Sequence, residues 1–96
     1  MTKKQYKQEL QRIIDQFERQ KMDLAKTFAL ANNTVNIGDV IEDHTSRIKV
    51  DKIMYVLRSF DEDLPCCVYE GYQLTIKGNI RKDKSTAIIY QTNIIQ

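Results

Sequence analysis

From Lys3 to Ala31 the apolar residues return in steps of three and four, at Leu10, Ile14, Phe17, Leu24, Phe28 and Ala31. Such steps place side chains on one face of an α-helix. Ile13 widens the stripe, Tyr6 extends it toward the start, and Lys21 interrupts it. The aliphatic stem of that lysine can lie along the apolar face while its charge reaches water. The stretch has no Gly or Pro and is rich in Gln, Glu, Lys, Arg, Leu, Met and Ala, all good helix formers. Thr2 is placed to cap its start. Asn32 or Asn33 is placed to end it in the left-handed conformation. Asp15 and Arg19 predict an i,i+4 ion pair on the outer face.

After Thr34 the period falls from 3.6 to 2. Val35, Ile37, Val40 and Ile41 surround Gly38-Asp39, which predicts a strand with a bend or tight turn at the glycine. From Arg47 onward Ile48 and Val50 occupy even positions, whereas Ile53, Tyr55 and Leu57 occupy odd ones. Both sets share one face only if an extra residue is inserted, so a bulge is expected at Asp51-Lys52. Met54 and Val56 are also apolar and predict cover on both faces there. Pro65 closes a turn, and "CCVYEGYQLTIKG" reads as a strand or pair of strands with a break near Gly71. "YQLTI" and "TAIIYQTNII" then flank the polar "KGNIRKDKS" as a hairpin.

The expected fold is α+β: a long N-terminal helix over 1–33, then a small, strongly bent antiparallel sheet or SH3-like barrel over 34–96. The two together are expected to form one structural domain. Four to six short strands of this size curl, because closure hides their edges. The helix is expected to span roughly 40 Å, and a barrel of this length only about 25 Å. Part of the rod then projects, or a partner covers it. Leu10, Ile14, Phe17, Leu24 and Phe28 are the candidate protein interface, through self-association or with another protein. The competing reading breaks the helix near Gln20-Lys21 and folds it back.

"VNIGDVI" at Val35–Ile41 resembles the entry to small SH3-like barrels of the transcription-factor and ribosomal-protein type, where a Gly-Asp pair turns the first strand into the barrel. "YEGYQLTIKG" and "STAIIYQTNI" look similar to later strands of compact barrels often encoded by phages and gut bacteria. The resemblance covers residues 34–96 and implies a module that binds RNA, DNA, peptides or proteins. It assigns no functional residue, and the long leading helix departs from the simple barrel pattern.

Composition changes this picture little. The net charge is only +2, with seven basic and four acidic residues over 1–31 and four basic and seven acidic over 32–65. No segment has the basic density of a nucleic-acid arm. The start lacks an apolar secretory segment and no stretch suits a membrane, so a cytoplasmic protein without a membrane partner is expected. Cys66 and Cys67 are adjacent, unlike the spaced pairs of zinc or redox motifs. One is expected in the core and the other partly exposed, with Asp61, Glu62 and Asp63 solvating the preceding turn. Asp43, the lone His44 and Ser46 crowd "IEDHTSR", which reads as a polar hairpin loop. No catalytic residue, metal, cofactor or small-molecule substrate is expected. The alternative functional lead is single-stranded nucleic-acid binding by Lys77, Arg81, Lys82 and Lys84 with Tyr72, because bases stack on aromatics beside phosphate-binding cations. A structural or assembly role is the third.

Overall fold

The computed structural model describes residues 1–58 and 64–95. The acidic stretch Asp61–Asp63 therefore lies outside the described residues. A single unbroken helix, α1 (Lys3–Ala31), leads into four strands, β1 (Val40–Glu42), β2 (Arg47–Val56), β3 (Cys66–Gln73) and β4 (Thr86–Tyr90), and a 3₁₀ turn at Gln91–Asn93. The helix does not break at Gln20-Lys21. Thr2 caps it reciprocally: its hydroxyl accepts from the Gln5 N–H at 3.1 Å, and its own N–H donates to the Gln5 side chain at 2.8 Å. On the helix surface Asp15 accepts from Gln11, in place of the expected pair with Arg19, and Arg12 pairs with Glu9.

The strands form one antiparallel sheet in sequence order, β1-β2-β3-β4. Its register slips between Val50 and Lys52, leaving Asp51 as the extra residue. That bulge bends β2 and brings Ile48 and Val50 onto the same concave face as Ile53 and Tyr55, as the change in parity predicts. Before β1, Asn36–Asp39 makes the expected tight turn. Gly38 supplies a φ of +93°, and its N–H donates to the Val50 carbonyl at 2.7 Å. After the 3₁₀ turn, the Ile95 N–H donates to the Glu42 carbonyl at 2.9 Å. The chain end thus links the β4 side to β1, and the curled sheet makes a half-barrel consistent with an SH3-like fold.

Inside the curl sit Val35, Ile48, Val50, Cys67, Tyr69 and Ile89, joined by Ala29 from the helix. β3 runs through Gly71 without the expected break. There it lies between Val50 on β2 and Ala87 on β4. A Cβ at Gly71 would overlap the Lys49 carbonyl oxygen, so glycine is required for close backbone approach beside the bulge. The outer face is also partly apolar: Val68 pairs with Met54 and Tyr90, and Cys66 with Val56. Cys66 is therefore buried like Cys67, which corrects the expectation that one thiol would be partly exposed. Strict alternation exposes a side chain only where the second face is bare.

Gly71→Ala should force β2 and β3 apart and destabilise the fold by about 1–3 kcal/mol, read as a lower denaturant midpoint. Gly38→Ala has open space around the new methyl and meets only the backbone strain of a positive φ. It should cost about 1 kcal/mol.

Candidate protein-interaction site

The helix buries side chains against the sheet in its last two turns only. Ala25 and Ala29 are its sole buried residues. Both are small, so the backbone can approach β2 and β3 closely. Upstream, the rod stands clear of the sheet, and the molecule measures 67 × 27 × 20 Å.

The joint is made by groups that satisfy the helix end. The last carbonyls of a helix lack intrahelical donors. In a regular continuation the Ala29 carbonyl would accept from Asn33, but that N–H bonds the Leu30 carbonyl at 3.2 Å. The Cys67 thiol donates to the Ala29 carbonyl instead, at 3.2 Å. The Asn32 side chain donates to the Phe28 carbonyl at 2.9 Å. Gln91 bridges helix end and sheet, with its Nε2 donating to the Asn32 carbonyl at 2.7 Å and its Oε1 accepting from the Cys67 N–H at 3.2 Å. The Asn33 side chain grips both the N–H and the carbonyl of Val35 and accepts from the Tyr69 hydroxyl at 2.6 Å. Asn32 has a φ of −100°, so the expected left-handed cap is not used. Side chains of Asn32, of Cys67 on β3 and of Gln91 in the 3₁₀ turn cap the helix in its place.

All five predicted interface residues are exposed: Leu10 42%, Ile14 44%, Phe17 62%, Leu24 72% and Phe28 41%. Tyr6 and Ile13 are exposed on the same side. At 100° per residue this seam lies about a quarter-turn from the Ala25–Ala29 face, so docking on the sheet leaves it uncovered. At its lower end the seam runs into a concavity lined by Leu24, Phe28, Leu57 and Pro65, with Lys21 at its margin.

The basic segment does not form one hairpin tip. It folds into two consecutive turns, Thr75–Gly78 and Arg81–Lys84, joined by a bridge between Leu74 and Ile80. Lys77, Arg81 and Lys82 line one shallow concavity with Ile76 and Ile80. Lys84 holds a positive φ in the second turn. Tyr72 is exposed on β3 between Lys49 and Thr86 and does not line that concavity. Tyr69 is fully buried and committed to Asn33. The cations converge without a stacking platform among them. His44 lies exposed in the β1–β2 turn, where Asp43 accepts from the Thr45 and Ser46 N–H groups. No three His, Cys, Asp or Glu residues are grouped to hold a metal among the described residues. No described helix is long and apolar enough to cross a membrane. Comparison with models of known families, with curated proteins and with solved structures gave no match.

Burial pushes the Cys66 and Cys67 thiols above their ordinary value of 9.0, and the Tyr69 hydroxyl above 10.0, aided there by the neighbouring thiols. The unfolded chain releases these protons near the ordinary values, whereas the folded chain keeps them. Their contribution to stability is therefore complete below about pH 9 and is lost as the pH rises beyond it. Denaturant midpoints should hold level to that pH and then fall, and Tyr69→Phe should make the fall shallower. Both thiols should resist alkylation in the native protein and react once it is unfolded.

Proposed function

We propose that the protein is a non-enzymatic interaction module that associates with a second copy of itself through α1. The observation that carries this reading is the length of apolar seam, interrupted only at Lys21, left uncovered by the chain's own sheet. Leu10, Phe17, Leu24 and Ala31 recur every seven residues, with Ile14, Lys21 and Phe28 interleaved. This 3-4 alternation is the seam of a helix that packs along another helix. Energetics support the same reading. Most helical stability in proteins comes from packing of an amphipathic face rather than from propensity, and pairing would stabilise the projecting turns. Seven exposed seam side chains hold on the order of 700 Å² per chain. Two copies would reach the range of about 1,200–2,000 Å² expected of specific interfaces. The basic turns support phosphate contacts alone and do not carry a comparable argument.

Sedimentation equilibrium should find a dimer. Phe17→Asp and Leu24→Asp should each raise its dissociation constant by roughly 30-fold or more, the equivalent of a 2 kcal/mol contact. Cys66 and Cys67 should remain protected in both variants, showing that the sheet is intact. A wild-type protein that stays monomeric at high concentration would overturn the proposal.

A further inference from the structure

The distribution of charge and shape along α1 is self-complementary in one orientation. We infer that the two copies pack antiparallel, each projecting N-terminal half lying against the partner's helix base. This rests on the self-association proposed above.

The first observation is electrostatic. A helix carries partial positive charge at its N-terminus and partial negative charge at its C-terminus. α1 is charged against its own dipole: it has no acid in the first turn and no base in the last. Lys3, Lys4 and Lys7 crowd its start instead. Antiparallel packing sets these lysines beside the partner's helix C-terminus, where positive charge is favoured. Parallel packing would gather both lysine clusters at one end, with nothing to offset their repulsion.

The second observation is the register. Antiparallel seams pair the two alternating sets of positions with each other. One alignment overlaps the whole seam. It sets Leu10 against the partner's Phe28, Ile14 against the partner's Leu24, and Phe17 against the partner's Lys21. Each lysine that interrupts the stripe then lies over an aromatic face, a favourable site for a cation. In a parallel pair Lys21 would face the partner's Lys21. The same alignment brings Leu10 and Ile14 to the mouth of the concavity formed by the partner's Leu57 and Pro65 with its helix base, an apolar hollow that a parallel pair leaves empty.

Spin labels on Lys4→Cys test the orientation, because this exposed position lies off the seam near the helix start. The buried Cys66 and Cys67 contribute only background, measured on the wild-type protein treated identically. Antiparallel packing in the stated alignment predicts an inter-label distance of roughly 45 Å. A distance of roughly 10–20 Å would mean parallel packing and would overturn the orientation while leaving self-association standing. Any other single distance would overturn the alignment. A sample shown by sedimentation to be monomeric would overturn self-association itself.

Discussion

The molecule depends on how the last turn of one helix is satisfied. The carbonyls of Phe28, Ala29 and Leu30 and the adjoining carbonyl of Asn32 are claimed by Asn32, Cys67, Asn33 and Gln91. Two of these donors lie far along the chain, Cys67 on β3 and Gln91 in the 3₁₀ turn after β4, 38 and 59 residues from their acceptors. Undocking the rod would break the buried Cys67–Ala29 bond and the Gln91–Asn32 bond together, each worth about 0.5–1.5 kcal/mol net. Ala25 and Ala29 make the close approach possible, and Tyr69 holds Asn33, where the chain turns away from the helix. Helix direction and sheet core are thus one structure.

The curl of the sheet serves the same joint. The extra residue at Asp51 bends β2 so that its two halves face one core, and Gly71 lets β3 follow it without a gap. The bond from Ile95 to Glu42 draws the opposite edges together. Cys67 and Tyr69 project from β3 into the resulting hollow, where they meet the helix end. A flatter sheet would carry the same residues without converging them.

Much of this was legible in the chain because it is encoded locally. Helix length follows from uninterrupted periodicity and the absence of Gly and Pro. The bulge follows from the change in parity between Val50 and Ile53. The exposed seam follows from a rod longer than the sheet that receives it. The helix end at Asn32 was legible, but part of its capping was not, since Cys67 and Gln91, which nothing near Asn32 announces, satisfy the carbonyls of Ala29 and Asn32. Cys66 was misjudged because alternation gives the face a side chain points to, not whether that face is covered. The basic segment was misjudged as a single tip because Lys84 accepts a positive φ that favours glycine. A second turn therefore forms where none is signalled. Spacing alone put Leu10, Ile14, Phe17, Leu24 and Phe28 on one helix face, and in the structure that face is exposed.

The short base and long free arm of α1 make it a lever. Leu10 lies roughly 28 Å from Ala29 along the axis. A tilt of about 10° at the base would therefore swing Leu10 by about 5 Å, close to one helical pitch. Contacts made far out on the arm are consequently governed by angular tolerance at its foot. Loosening a single amide or thiol there would be felt most strongly at residues that touch neither.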